Sequence, residues 1–382
     1  QSTDEYGNTI TQTAIVGVDS QDEDTDALVM TYTGDTPSSV NTEIDPLIDN
    51  TNNTQGAFTR VITDTLTVEI SHKGGTIINA FLNKYPKELK SEENFQLLSN
   101  STGNILYAQS GLLPFNEMAN HNSEFTSERQ EYFLQGNSEL IVPLIWKGDN
   151  GIEVTKNFHF KPDSYIIEVD YQITNKSNTD QPVQSYTRLV HDGHSVGSGG
   201  FLQMGMQAYE GGAIYSDSEK FQKIDFDEFD ESRSETKSLG GWTTLMQHYF
   251  ITSWIPKDNE ENSFSSRSTS GSFEKTEANN GNFELTTKNS GLTIAAGSTA
   301  TLGKNQLYIG PKEYIRLNRL APGLEKTRDY GWLTIVADPL SKFLHWIYSY
   351  IGNWALSIVV LTLIIKLAFY KLSEKSFRSM AG

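Results

Sequence analysis

No cysteine occurs among the 382 residues. That excludes a disulfide framework, a thiolate-ligated zinc site and a thiol nucleophile together. Cations are missing from one end. Residues 1–59 hold eleven Asp or Glu and no Lys or Arg, out of a net charge of −18. No nucleic-acid partner is expected, because phosphate binding needs clustered cations. Helical periodicity is nearly absent from 58 to 308. The first residue is Gln1, and no leader with a charged start and an apolar middle precedes the rest. The expectation is that a leader was removed or that the chain is part of a longer one.

What is present falls into zones. Segment 1–57 is acidic and polar, with scattered apolar residues as in "NTEIDPLIDNTNNTQG". Such a stretch buries too little apolar area to offset its ordering entropy. It reads as a flexible acidic tether, with a short edge strand around Ala14 to Val18 as the alternative. From Phe58 the pattern alternates with period two. "TLTVEIS" places Leu66, Val68 and Ile70 on one side, and "SYIIEVDYQI" does so with Tyr165, Ile167, Val169, Tyr171 and Ile173. "IEVTKNFHF" and "GNFELTTKN" behave alike, and turn signals such as "SHKGGT", "KGDNG" and "KNSGL" separate the runs. Alternation of this kind means sheets with one buried and one wet face. The fold class is mainly β, a large antiparallel sandwich over 58–325. Trp242 and Trp254 are expected in its core, and Gly74 and Gly75 in a turn rather than a phosphate cradle.

Helical signals come late. In "GPKEYIRLNRLAPGLEK", Pro311 suits a first turn, and Tyr314, Leu317 and Leu320 share a face. In "ADPLSKFLHWIYSYIGNW", Leu340, Phe343, Leu344, Ile347 and Ile351 form one apolar face, with Trp346 and Trp354 nearby. Segment 326–351 therefore reads as a linker and an amphipathic helix lying at a membrane interface. Phe343, Leu344, Trp346, Ile347 and Trp354 are its expected lipid-facing residues. Segment 352–373 reads as one transmembrane helix, since Trp354 to Tyr370 carries a single charge, Lys366. After it come Lys371, Lys375 and Arg378 against one acid, Glu374. The positive-inside rule then puts 374–382 in the cytoplasm and the β-domain outside. Lys366 has two readings from spacing alone. It either snorkels to the headgroups or faces a hydrated cavity within the bilayer.

The stretch "DYGWLTIVADPLSKFLHWIYSYIGNWALSIVVLTLIIKLAFYKLSEKSFRSMA" resembles the start of the membrane core of the YidC/Oxa1/Alb3 insertases. "HKGGTIINAFLNKYPKEL", "FQLLSNSTGNILYAQSGL", "GGAIYSDSEKFQKIDF", "GGWTTLMQHYFITSWIP" and "LYIGPKEY" resemble the periplasmic domain of its Gram-negative members. The resemblance runs from Phe58 to Ala381. It implies a galactose-mutarotase-like β-supersandwich in the periplasm of a bacterial inner-membrane protein. It implies insertion and folding of nascent membrane proteins, alone or with the Sec translocon, in contact with the lipid bilayer and without a cofactor. It also implies that Lys366 stands where the family carries a basic residue, usually Arg, in a hydrated groove. Lys keeps the charge but not the bidentate fork. On this resemblance the chain lacks a preceding transmembrane helix and later ones.

A mutarotase-like fold raises a rival, a membrane-anchored sugar-binding protein or sugar epimerase. Its acid/base candidates are His159, His191, His194 and His248 with Glu168 and Asp192. "HDGH" is a weak metal signal, and fold alone does not imply function. A docking role for the β-domain is compatible with the insertase reading.

Overall fold

The computed structural model describes residues 12–13, 31–32, 56–88, 90–101, 103–115, 117–193, 210–229, 235–268, 282–328 and 334–380. The expected tether and its alternative strand at Ala14 to Val18 lie largely outside them. So does His194. Within segment 1–57, Gln12–Thr13 and Thr31–Tyr32 form a two-stranded pair.

The alternating runs become two sheets. One has eight strands, all pairings antiparallel, in the order Lys220–Ile224, Gly211–Ser216, Trp242–Met246, Phe250–Ile255, Thr299–Pro311, Ile166–Asn175, Ile152–Phe160, Leu140–Lys147. The other has eleven. Its path runs Thr236–Leu239, Glu261–Ser268, Phe283–Lys288, Gln181–His191, Asn104–Leu113, Asn94–Ser101, Ile77–Pro86, Leu66–Ser71, Phe58–Ile62, Glu131–Phe133, with Leu292–Ile294 beside Gln181–His191. Only the pairing of Phe58–Ile62 with Glu131–Phe133 is parallel among the described strands.

The core lies between these layers. Leu66, Val68 and Ile70 of one sheet are buried, as are Tyr165, Ile167, Val169, Tyr171 and Ile173 of the other. Each large apolar side chain so buried stabilises by about 1.5–3 kcal/mol. Polar ties cross the layers. Trp254, fully buried, donates its indole N–H to the Arg188 carbonyl at 3.2 Å. The Asn289 amide donates to Asn262 Oδ1 at 2.9 Å and to Asn305 Oδ1 at 3.0 Å. Trp242 is also core, as expected, and donates to the Pro322 carbonyl at 3.0 Å.

Pro311 corrects one expectation. It ends the strand Thr299–Pro311 rather than opening a helix. Its carbonyl accepts the Tyr308 hydroxyl at 2.7 Å and the Glu313 N–H at 2.8 Å. Helix α1 then runs Tyr314–Leu320, with Leu317 buried. It is fixed to the sheet by Arg316, which bonds Glu313 at 3.2 Å and lies 4.9 Å from the Tyr165 ring centroid. Burial and the nearby Glu313 carboxylate push the Tyr85 hydroxyl up to about 12.

Helix α2 (Thr334–Ile351) starts earlier than its apolar face and runs through Pro339, which lacks the N–H of one intrahelical bond. Gly352, at φ +67°, takes the left-handed position after its end and donates to the Tyr348 carbonyl at 2.8 Å. Asn353 then caps helix α3 (Trp354–Met380), its Oδ1 accepting the Leu356 N–H at 3.2 Å. "IGNW" is thus a stop and a start in adjacent residues.

Candidate functional site

The two late helices pack against each other. Tyr348 stacks on Trp354 at 4.0 Å between centroids, and His345 meets Trp354 edge-on at 5.2 Å. Ile347, Ser357 and Leu361 are buried, and on α3 the last two are one helical turn apart. The rest of the apolar surface is open. Trp346 is 55% exposed and Tyr350 76% exposed on α2. On α3, Leu356, Ile358, Val359, Leu363, Leu367 and Phe369 are all exposed. Phe343 and Leu344 are half-buried, and Phe343 stacks on Trp346 at 5.6 Å.

Lys366 is exposed. At 3.6 residues per turn it stands about 140° around the helix from Leu361. It is therefore turned away from the face that packs on α2. Among the described residues no helix is long and apolar enough to cross a membrane. The structure provides a helix, Trp354–Met380, over the segment 352–373.

A second cation was not singled out by sequence reasoning. Lys156 is fully buried between the sheets. Its ammonium donates to the carbonyls of Gly74, Gly75 and Ser110, each at 2.9 Å. It also lies 5.2 Å from the Phe158 ring centroid and 5.7 Å from that of Tyr171. Burial holds its pKa well below the ordinary lysine value. The three acceptors match the three protons of the charged form. Gly74 and Gly75 form the expected turn with a sharper purpose. Both have positive φ, and a Cβ on Gly75 would meet the Lys156 chain at 2.9 Å. The signal was available: position 156 is in phase with Ile152, Val154, Phe158 and Phe160. A lysine on a core phase asks for acceptors.

The enzyme candidates whose placement is described do not converge on one site, although His191 Nδ1 lies 3.8 Å from Asp192 Oδ1. His159 alternates with buried Phe158 and Phe160 and so faces away from the core. It bonds Asp170 at 2.6 Å, not its cross-strand neighbour Glu168, which reaches Lys161 at 3.4 Å. His191 belongs to the other sheet, stacks on Phe226 at 4.8 Å and accepts the Gly193 N–H at 2.7 Å. Asp192 accepts the Ile105 N–H at 2.8 Å. His248 is exposed in a turn. Among the described residues, no group of three His, Cys, Asp or Glu is arranged to hold a metal ion.

Known proteins supply the frame for these helices. The family model of the YidC periplasmic domain matches residues 59–343. The Membrane protein insertase YidC of Ruthia magnifica subsp. Calyptogena magnifica is 49% identical over 328 residues, covering 86% of this chain and 58% of that protein. Its namesake from Vesicomyosocius okutanii subsp. Calyptogena okutanii is 49% identical over 325 residues, covering 85% and 57%. The chain thus spans little more than half the length of these relatives. Both are named as insertases, not as enzymes. A solved galactose mutarotase-like protein from Lactobacillus casei aligns with a TM-score of 0.44 at 8% identity, covering 66% of this chain and 100% of that one. That likeness carries no argument about chemistry. With a domain model matched across most of its residues and relatives at 49% identity, the chain belongs to the YidC membrane protein insertase family.

Proposed function

We propose that the chain is the periplasmic part, and the first membrane-associated helices, of an inner-membrane insertase for nascent membrane proteins. The observation that carries this is the row of exposed apolar side chains on α3, from Leu356 to Phe369, beside the exposed Trp346 and Tyr350 of α2. Apolar surface left open over such a length marks contact with lipid or another apolar partner. Trp and Tyr are enriched at the level of the headgroups. In this reading α2 lies at the interface through Phe343, Leu344 and Trp346, with Trp354 of α3 beside them, while Ile347, expected there too, packs inward. The helix α3 enters the bilayer with its basic end on the cytoplasmic side. The β-domain stays in the periplasm, where it can meet Sec translocon subunits and client loops.

Lys366 is the client-binding charge in this reading. It projects away from the α2–α3 contact, so it is free to face a hydrated groove completed by other helices. An ammonium there attracts acidic or polar segments of a client, at about 2.5–3.5 kcal/mol of insertion cost to the helix itself. The client's own apolar helix then leaves for lipid, gaining about 25 cal/mol per Å² buried. No bond is made or broken.

The test is replacement of Lys366 in the full-length protein. Lys366→Ala should slow insertion of clients with acidic translocated tails several-fold, and Lys366→Glu should slow it more, in a protease-protection assay. Clients without acidic tails should be affected less. Normal insertion of the acidic clients by both variants would remove the groove role.

A further inference from the structure

The pair Asn–Gly occurs twice in the sequence, at Asn150–Gly151 and Asn280–Gly281. The second lies outside the described residues. The first is the tip of the hairpin that joins Leu140–Lys147 to Ile152–Phe160, and Asn150 is exposed there. Two bonds close the turn. The Gly148 N–H donates to the Ile152 carbonyl at 2.8 Å, and the Gly151 N–H to the Gly148 carbonyl at 3.3 Å. Gly151 has φ +83°, a backbone state that favours glycine. The Asn150 side chain is held at both ends. Its Oδ1 accepts the Ile152 N–H at 3.2 Å, and its Nδ2 donates to the Glu117 carbonyl at 2.9 Å. An N–H on one side and a carbonyl on the other fix which amide atom is which.

We propose that Asn150 is a self-modification site, converted to aspartate and isoaspartate without an enzyme. The Gly151 nitrogen attacks Asn150 Cγ and loses its proton to water. The electron pair of the Cγ=O bond moves to Oδ1, then returns as Nδ2 takes up a proton and leaves as ammonia. A cyclic imide remains. Water adds to either of its carbonyls and breaks one C–N bond, which gives aspartate or isoaspartate. Only water is consumed and only ammonia is released. Three features favour the first step. Gly151 has no Cβ to block the approach. Its N–H bond to Gly148 is the longer of the two that close the turn, so the attacking nitrogen is the less firmly held. The charge that builds on Oδ1 faces the Ile152 N–H, the arrangement that stabilises an oxyanion. Either product puts an oxygen where Nδ2 was. Two acceptors then face each other at Glu117, beside the exposed Asp149, and the tie between hairpin and loop is lost. The isoaspartate also inserts a methylene into the main chain of the turn.

The unaltered chain and a synthetic peptide of residues 144–156 are incubated side by side in mildly alkaline buffer. The peptide is the clock. Mass spectrometry of digests follows the change from NH₂ to OH at position 150, and labelling by a protein isoaspartyl methyltransferase follows the isoaspartate. Conversion in the folded chain should run within about tenfold of the clock, which is about 1.4 kcal/mol of barrier. Asn150→Gln, whose cyclisation needs a larger ring, should stay unmodified at that position. In the converted chain the Gly148 and Ile152 amides should exchange faster with solvent. Conversion more than about tenfold behind the clock, or confined to Asn280, would overturn the site. Conversion that leaves exchange at Gly148 and Ile152 unaltered would overturn the opening of the turn.

Discussion

A lysine that stands in for a metal ion occupies the middle of the sandwich. Lys156 gathers three carbonyls from one turn and a strand as a cation site would, and it joins the two sheets. Replacing it by Met keeps much of the volume but strips three buried carbonyls of their donor. Each loss costs about 1–3 kcal/mol, offset in part by relief from burying a charge. Lys156→Met should therefore destabilise by about 2–3 kcal/mol in denaturant melts at neutral pH. The pH dependence has a definite sign. The folded-state pKa is depressed, so the unfolded chain binds more protons between that pKa and the ordinary 10.5. The contribution of Lys156 to stability rises with pH through that window, and is lowest below the folded pKa. The variant should lose this upward slope. An unchanged slope would mean that the ammonium is as well solvated in the fold as in the unfolded chain.

At the scale of elements, the α2–α3 elbow is the joint between the soluble and apolar parts. Its packing depends on Ile347, which is 4% exposed while its helix neighbours are open. Ile347→Ala should loosen the elbow by about 2 kcal/mol, the low end for a core truncation. The readout is faster amide exchange in α2 with no change in β-domain melting. Much here was legible from sequence. The spacing of Leu340, Phe343, Leu344, Ile347 and Ile351 gave the amphipathic face. Period two gave the core strands, because a side chain every second residue has only one inner face to enter. Other features were hidden for physical reasons. Pro311 suits a helix start and a strand end equally by its fixed φ, and only the sheet decides. Lys156 was marked by its core phase, but its acceptors were hidden, because they are main-chain oxygens that no residue type announces.

For the whole molecule, the order of strands matters more than their number. Thr299–Pro311 pairs with Ile166–Asn175 on one side and Phe250–Ile255 on the other. Among the described residues it is the last strand, yet it sits inside the eight-stranded sheet. A piece covering 56–328 should fold, with a cooperative thermal transition and near-ultraviolet circular dichroism. A piece ending before Thr299 should lose both, since the sheet would be split and about half a dozen core side chains uncovered. A cooperative melt of the shorter piece would show that the two halves of the sheet stand alone.

The place of that strand also sets a schedule. A ribosome making this chain completes the central seam of one layer only at its final strand, and the greasy helices follow almost at once. Until then the earlier strands wait with open edges. The globular layers are therefore closed just before the apolar surface of α2 and α3 leaves the ribosome.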